Sequence, residues 1–106
     1  MLDLTNIPWH WTRHEGIGLH VLQRDDKTGD VAVLIFMRAG AAYPAHRHVG
    51  EEHVLVLQGA YEDGHATYRE GTFHTHPPGS AHAPRALPSV DCILFAIAHQ
   101  GIELGM

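Results

Sequence analysis

Hydrophobic and polar positions alternate along short segments of the chain, and turn-forming residues separate these segments about every eight to twelve residues. In 16–23, Ile17, Leu19 and Val21 alternate with the residues between them, which is typical of a half-buried β-strand. The segment 31–38 does not alternate, but it is short and β-branched, so it predicts a strand that is buried on both faces. The Asp-rich turn 25–30 joins the two into a predicted hairpin.

Further short strands are predicted along the rest of the chain, and no segment predicts a helix of ten or more residues. They are a strand with both indoles of Trp9 and Trp11 on one face, a strand from His46 to His48, strands 53–58, 72–76 and 90–98, a hairpin over 61–69 and an extended piece at His82. Nine or ten strands in a chain of 106 residues indicate an all-β fold, most simply a compact barrel formed by one domain over 1–106.

Composition and charge exclude several classes of partner. The net charge is −5 with only seven Lys plus Arg, so we expect no binding to nucleic acid or to an anionic membrane surface. No apolar run is long enough to span a membrane, and the N-terminus predicts no secretion signal. The single cysteine, Cys92, lies in an apolar run and is expected to be buried, which suits a reducing, cytoplasmic location.

Eleven histidines stand out, and four candidate metal ligands can be chosen by their spacing. His46 and His48 are two residues apart, so both imidazoles leave the same face of a strand. Glu52 is again an even number of residues away, whereas Glu51 is expected to point into solvent. His82 follows the turn at 77–79, which could bring it to the same place. Imidazoles and a carboxylate converging on one point predict a divalent-metal site.

Two motifs carry a resemblance to a known superfamily. The first is Gly40-x5-His46-x-His48-x3-Glu52-x6-Gly59, and the second is Gly71-x5-Pro77-x-Gly79-x2-His82. They resemble the two signature motifs of the cupin superfamily, at 40–59 and 71–86 here. The resemblance implies a small single-domain cupin, which is a double-stranded β-helix or jelly-roll barrel. One departure is Ala86, which stands where the second motif usually has an asparagine.

A finer resemblance is to the cupin domain of ChrR-type anti-sigma factors and to related acetylacetone-cleaving dioxygenases. It rests on the segments 48–63 and 77–84. The resemblance implies that His46, His48, Glu52 and His82 are the metal ligands. The anti-sigma factors also have a separate N-terminal zinc-binding helical domain that holds the sigma factor, and no such segment is in this sequence. Sequestration of a sigma factor by that route is therefore not expected.

The spacing does not assign the remaining histidines of the central region as metal ligands. His53 is an odd number of residues from His48 and is expected on the opposite face. His74 and His76 share one face of their strand, and the sequence leaves open whether that face points into the barrel. If it does, either histidine could contact the metal ligands or shuttle protons.

Two functions stay open, of which a metal-dependent dioxygenase is the one expected and a regulatory module is the alternative. Imidazole and carboxylate ligands do not distinguish among Fe, Mn, Zn and Ni, so one divalent ion per chain is predicted without its identity. A metal with open coordination positions favours a dioxygenase acting on a small diketone-like or phenolic molecule. A closed tetrahedral site favours a non-enzymatic sensor or regulatory module that binds a metal or a small ligand. A sugar-phosphate isomerase is less supported, because no Lys/Arg cluster is present for a phosphate.

A homodimer is also predicted. The strands at 31–37 and 90–98 supply more apolar surface than one thin barrel wall hides, and Ile102, Leu104 and Met106 leave the chain end apolar.

Overall fold

The computed structural model describes residues 3–104, except for the side chains of Thr5, Ile102, Glu103 and Leu104. The described chain has one short 3-10 helix, Leu4–Asn6, and is otherwise built of strands. The strands are β1 (His10–Trp11), β2 (Ile17–Arg24), β3 (Val31–Met37), β4 (His46–His48), β5 (Glu52–Gln58), β6 (Ala60–Glu62), β7 (Thr67–Arg69), β8 (Phe73–His76), β9 (Ala81–His82), β10 (Arg85–Ala86), β11 (Cys92–Ala98) and β12 (Ile102–Leu104). The predicted all-β class is confirmed.

The strands form three antiparallel sheets that enclose a jelly-roll barrel. The large sheet has the order β1-β2-β3-β11-β5-β8, and the two small sheets have the orders β10-β6-β7 and β12-β4-β9. Strands that are distant in sequence are neighbours in space, since β11 lies between β3 and β5. This crossing order brings the two predicted motifs, at 40–59 and 71–86, to the same side of the barrel.

The core lies on the inward face of the large sheet, and strand alternation selects its residues. On β5, Val54 and Val56 are buried, while Leu55 between them is half-exposed. On β11, Cys92 is completely buried, as the apolar run around it predicted. Leu94 and Ala96 continue the same face into the core.

The prediction that β3 is buried on both faces is wrong. Ile35 and Met37 point into the core, but Phe36 faces outward and is half-exposed. On this outer face, the two indoles that precede β2 pack against β3. Trp9 and Trp11 meet the Phe36 ring edge-on, with centroid distances of 5.3 and 5.4 Å. An antiparallel sheet can leave one face toward solvent, so an apolar run need not mean burial on both sides.

Residues 3–104 contain twelve strands, against the nine or ten predicted, because the short strands β10 and β12 follow from pairing rather than from sequence pattern. The two-residue strands β9 and β10 pair with β4 and β6, and β12 pairs with β4.

The homodimer stays a prediction. Exposed apolar side chains on the described surface, such as Trp11, Leu22 and Phe73, are compatible with it, and Met106 lies outside the described residues. Within 3–104, no helix has the length and apolar character needed to cross a membrane.

Two motif glycines give a matched test of backbone packing. Gly59 and Gly71 both have positive φ, at 74° and 85°. A Cβ at Gly59 would run into the backbone carbonyl of Asp91, whereas a Cβ at Gly71 would meet no heavy atom within 4 Å. Gly71→Ala should therefore lower the free energy of unfolding by about 1–2 kcal/mol, because of the left-handed conformation alone. Gly59→Ala should cost more, because the β5–β6 connection must also move. Urea unfolding of both variants measures the difference, and equal losses would contradict it.

Candidate metal centre

The structure brings together all four predicted ligand residues. His46 and His48 come from β4, Glu52 begins β5, and His82 ends β9. Each is between 1% and 8% exposed. The Nε2 atom of His46 lies 3.2 Å from Nε2 of His48 and 2.8 Å from Nε2 of His82. Oε1 of Glu52 lies 3.0 Å from Nε2 of His48. One donor atom from each side chain therefore surrounds a single buried point.

Strand register explains why these side chains meet. His46 and His48 point inward while Arg47 between them is exposed. His46 pairs directly with His82 across the β4–β9 ladder. Between β4 and β5 the chain passes close to the backbone of His99, where a Cβ at Gly50 would lie 2.6 Å from the carbonyl oxygen. Glycine at this position therefore lets the chain bend so that Glu52 reaches the centre.

Glu51 lies on the other side of that bend. Its side chain is about half exposed, and its carboxylate lies 3.6 Å from Nε2 of His53. His53 in turn contacts Thr75, on the outward face of the large sheet. The two neighbouring glutamates thus separate as expected, with Glu52 inside and Glu51 outside, at the bend between β4 and β5.

The second ring nitrogen of each histidine is held by a hydrogen bond. Nδ1 of His46 donates to the Pro44 carbonyl at 2.9 Å, and Nδ1 of His82 donates to Oδ2 of Asp63 at 3.0 Å. Nδ1 of His48 lies 3.0 Å from Oγ of Ser80. Because that hydroxyl donates to the Pro77 carbonyl, it accepts the proton of His48. All three rings are therefore Nδ1–H tautomers, and each Nε2 presents a lone pair.

The charges of the cluster fit a cation. Three Nε2 lone pairs and the Glu52 carboxylate face one another at 2.8–3.2 Å, and this arrangement repels itself unless a positive ion lies between them. Burial lowers the pKa of His46, and it lowers the pKa of His82 to about 4, so both rings stay neutral. Burial opposes ionisation of Glu52, but its contact with His48 and the other surrounding imidazoles outweighs burial, and the net pKa of the Glu52 carboxyl is lowered. The donor set matches the ligands of zinc and of first-row transition metals.

Sequence reasoning missed the groups that fix these tautomers. Asp63 is 5% exposed, and its other oxygen accepts the backbone N–H groups of His65 and Ala66. Burial opposes ionisation of Asp63, but its hydrogen bond with His82, together with these backbone bonds, lowers its pKa to about 2. The sequence pattern places the residue in a hairpin turn, and only the approach of that turn to β9 gives it a role. The positions of Ser80 and Pro44 in the sequence likewise do not indicate that they contact the histidines.

The open question about His74 and His76 is answered, because both point into the barrel. His76 is buried and stacks on His48, with ring centroids 5.0 Å apart. Nε2 of His74 lies 2.7 Å from the Tyr61 hydroxyl and 3.1 Å from Nε2 of His76. The Tyr68 ring stacks on the His74 ring, with ring centroids 3.9 Å apart. A layer of aromatic rings therefore packs directly behind the four ligand residues.

The internal cavity next to the cluster is small, at about 30 Å³. His46, Glu52 and His82 form one side of it, together with the rings of Tyr43 and Tyr61. Its remaining wall is mostly apolar, formed by Ile35, Met37, Val54, Pro84, Leu94 and Ala96. A space of this size holds one or two water molecules.

The jelly roll and this buried His/Glu cluster together define a cupin with a potential metal site. Residues 1–101 match the family of ChrR cupin-like domains, and the chain belongs to that family. The identification made from the two motifs is thereby confirmed.

This chain is similar to individual proteins in both sequence and structure. It is 36% identical over 66 residues to the anti-sigma-E factor ChrR of Cereibacter sphaeroides, a match that spans 62% of this chain and 31% of that protein. The crystal structure of Rhodobacter sphaeroides SigE in complex with the anti-sigma ChrR is similar with a TM-score of 0.79 and 30% identity. That similarity covers 91% of this chain and 50% of the other.

A further similar structure is a putative acetylacetone dioxygenase from Methylibium petroleiphilum, with a TM-score of 0.85. It covers 100% of this chain and 80% of the other at 16% identity, so it supports the fold alone.

The buried histidine layer should make the metal-free protein sensitive to acid. Burial lowers the pKa of His74 to about 4, from an ordinary value of 6.5. As the pH falls through that interval, the unfolded chain takes up a proton that the folded chain refuses, so stability is lost. The His74→Gln variant should lose less stability than the wild type between about pH 7.5 and pH 5.

Urea unfolding of metal-free protein at the two pH values measures this loss. His10→Gln, which removes an exposed histidine on β1, serves as the control and should behave like the wild type. An equal loss in all three proteins would contradict the prediction.

Proposed function

We propose that this chain is a regulatory cupin that binds one divalent metal ion through His46, His48, Glu52 and His82. The observation that carries the proposal is the buried cluster of four acceptor atoms with no proton available between them. The ligand residues lie on β4, β5 and β9, which belong to two different sheets. A bound ion would therefore tie those sheets together, and its loss would loosen one side of the barrel.

The size of the cavity supports a regulatory role over an enzymatic one. The space beside the ligands holds only one or two waters, and even a small diketone is several times larger than a water molecule. The bound metal would supply a Lewis-acidic centre with a position facing this space. Water or a comparably small ligand fits there without movement of the surrounding side chains. The curated relative is named as an anti-sigma factor, which is a regulatory protein, but the chain matches only 31% of its length.

The residues around the centre would each have a defined task. Pro44, Ser80 and Asp63 hold the three imidazoles in the tautomer that can bind a cation. The His76 ring, stacked on His48, limits the movement of that ligand and excludes water from its back. The geometry is compatible with Fe, Mn, Zn or Ni, so elemental analysis is needed to name the ion.

Neighbouring glutamates provide the direct test of metal binding. Glu52→Gln removes a buried anionic donor, and Glu51→Gln removes an exposed carboxylate one residue away. We expect Glu52→Gln to weaken zinc binding by about 100-fold or more, and Glu51→Gln to change it less than about twofold. Isothermal titration of metal-free protein with Zn²⁺ measures both affinities. Equal affinities for the two variants, or a stoichiometry different from one ion per chain, would refute the proposed site.

A second candidate function is a metal-dependent dioxygenase acting on a small diketone-like or phenolic molecule. It is favoured by the contact of the cavity with three of the four ligand residues, beside the hydroxyl-bearing rings of Tyr43 and Tyr61. An open coordination position at that point could take part in oxygen chemistry. The likeness to the acetylacetone dioxygenase fold, at 16% identity, adds no evidence about the reaction.

Oxygen consumption separates the two functions. Protein loaded with Fe²⁺ is incubated with a panel of β-diketones and catechols, with Glu52→Gln protein as the control. The regulatory proposal predicts no consumption above that of the control across the panel. Turnover that depends on Glu52 would refute it and establish the enzyme.

Three further sequence predictions remain proposals. A single domain over 1–106, a cytoplasmic location and a homodimer each await measurement. The proposed function includes a small-molecule partner, but the cavity restricts it to water or a ligand of comparable size.

A further inference from the structure

Outside the internal cavity, a second opening leads toward the metal ligands. The edges of all three sheets, formed by β7, β8 and β9, surround a surface cleft of about 340 Å³. We call it the side cleft; its exposed rim includes His65, Thr75, Pro77 and Ala81. Its buried floor is formed by Asp63, His76 and His82. Within 3–104, no β-ladder joins these three edges to one another, so the barrel wall is interrupted here.

The floor of the side cleft carries its own group of metal-binding side chains. One donor atom from each of Asp63, His76 and His82 lies within 4.8 Å of the others. A carboxylate and two imidazoles suit the same divalent cations as the buried centre. His82 belongs to both groups, since its Nε2 faces His46 and its Nδ1 faces Asp63. This single ring therefore separates the floor of the cleft from the buried centre.

The sharing of His82 makes simultaneous full occupancy unfavourable. While Nε2 binds an ion, Nδ1 carries the proton that is donated to Asp63 and has no lone pair for a second ion. The floor group can therefore receive an ion only while His82 is not yet committed to the buried centre. Such a group is suited to brief occupancy rather than to permanent storage.

The alternative route to the centre is unfavourable for a cation. The four ligand residues are at most 8% exposed, and the internal cavity beside them is mostly apolar and holds one or two waters. Passage of a hydrated ion through that wall would remove its water without replacement ligands, which is costly. Through the side cleft, the carboxylate and imidazoles of the floor replace the water as the ion advances.

We infer that the side cleft is the route by which a divalent metal ion reaches the buried centre, with Asp63, His76 and His82 as a transient site on the way. This inference rests on the proposed metal-binding function. Asp63 and His76 would hold the ion at the floor. His82, whose two ring nitrogens face Asp63 and His46, would then pass it to the cluster formed with His46, His48 and Glu52.

A hydrogen bond across the mouth of the cleft controls its width. Nε2 of His65 donates to the Ala81 carbonyl at 3.2 Å, and so connects the turn before β7 with β9. The backbone N–H of His65 also donates to Asp63, so the same residue is tied to the floor. The bond lies between exposed residues and contacts none of the four ligands of the buried centre. Its loss should ease passage in both directions without altering the final site.

Metal-uptake kinetics test this route. Full-length metal-free protein is mixed with Co²⁺ in a stopped-flow spectrometer, and the visible absorption of bound cobalt reports association; a chelator in excess reports dissociation. In His65→Ala, both rates should rise about fivefold, which is the effect of one hydrogen bond, and Kd should stay within about twofold. His10→Ala, which removes an exposed histidine on β1, is the matched control and should resemble the wild type.

A second variant tests the transient site itself. His76→Phe keeps a ring stacked against His48 but has no donor atom, so association should slow about tenfold with the final cobalt spectrum unchanged. Rates equal to those of His10→Ala in both variants would overturn the inference. A changed cobalt spectrum in His76→Phe would also overturn it, because His76 would then be a ligand of the final site. Wild-type protein that binds no Co²⁺ would overturn the proposed function as well, whereas normal affinity with unaltered rates would overturn the route alone.

Discussion

The arrangement of this barrel depends on one electrostatic constraint, which is the burial of four acceptor atoms within hydrogen-bonding distance of one another. Nε2 atoms of three histidines and a carboxylate oxygen of Glu52 meet at 2.8–3.2 Å without a proton between them. Such a cluster would be stabilised by the cation of the proposed function at its centre, and it is stabilised by a hydrogen bond to each outer nitrogen. The turn at Asp63, the loop at Ser80 and the carbonyl of Pro44 all serve that requirement. Several irregular segments of the fold therefore have an electrostatic reason for their positions.

The same inward face of the large sheet supplies both the core and the site. Along β5, Glu52 is followed on the same face by Val54 and Val56, so the sheet changes from polar to apolar within two residues. On the neighbouring strand β8, His76 pairs with Glu52 and His74 pairs with Val54. The aromatic layer thus begins where the core ends. Packing density around the ligands is set by side chains that also stabilise the barrel.

Sequence alone predicted which four side chains meet, but parity along one strand explains only His46 and His48, which share a face of β4. Glu52 lies on β5 in another sheet and reaches the same point because the chain bends at Gly50, while Glu51 stays exposed. The role of Asp63 could not be predicted, because it arises only when the β6–β7 turn meets β9. The two-sided burial expected for β3 failed because an apolar run does not specify which side of a sheet meets solvent. Short strands such as β10 depend on partners that are distant in sequence.

The three fixed imidazole tautomers have a consequence for the size of the ion. Each ring is anchored at its outer nitrogen by a different segment of the chain, so the inner nitrogens cannot easily spread apart. Ions with bonds near 2.0–2.2 Å match separations of about 3 Å, while Ca²⁺ needs bonds of about 2.3–2.6 Å and more oxygen ligands. In the proposed metal centre, the outer hydrogen bonds would therefore select ions by their radius. A large cation such as Ca²⁺ would be disfavoured by the stiffness of the site as well as by its preference for oxygen ligands.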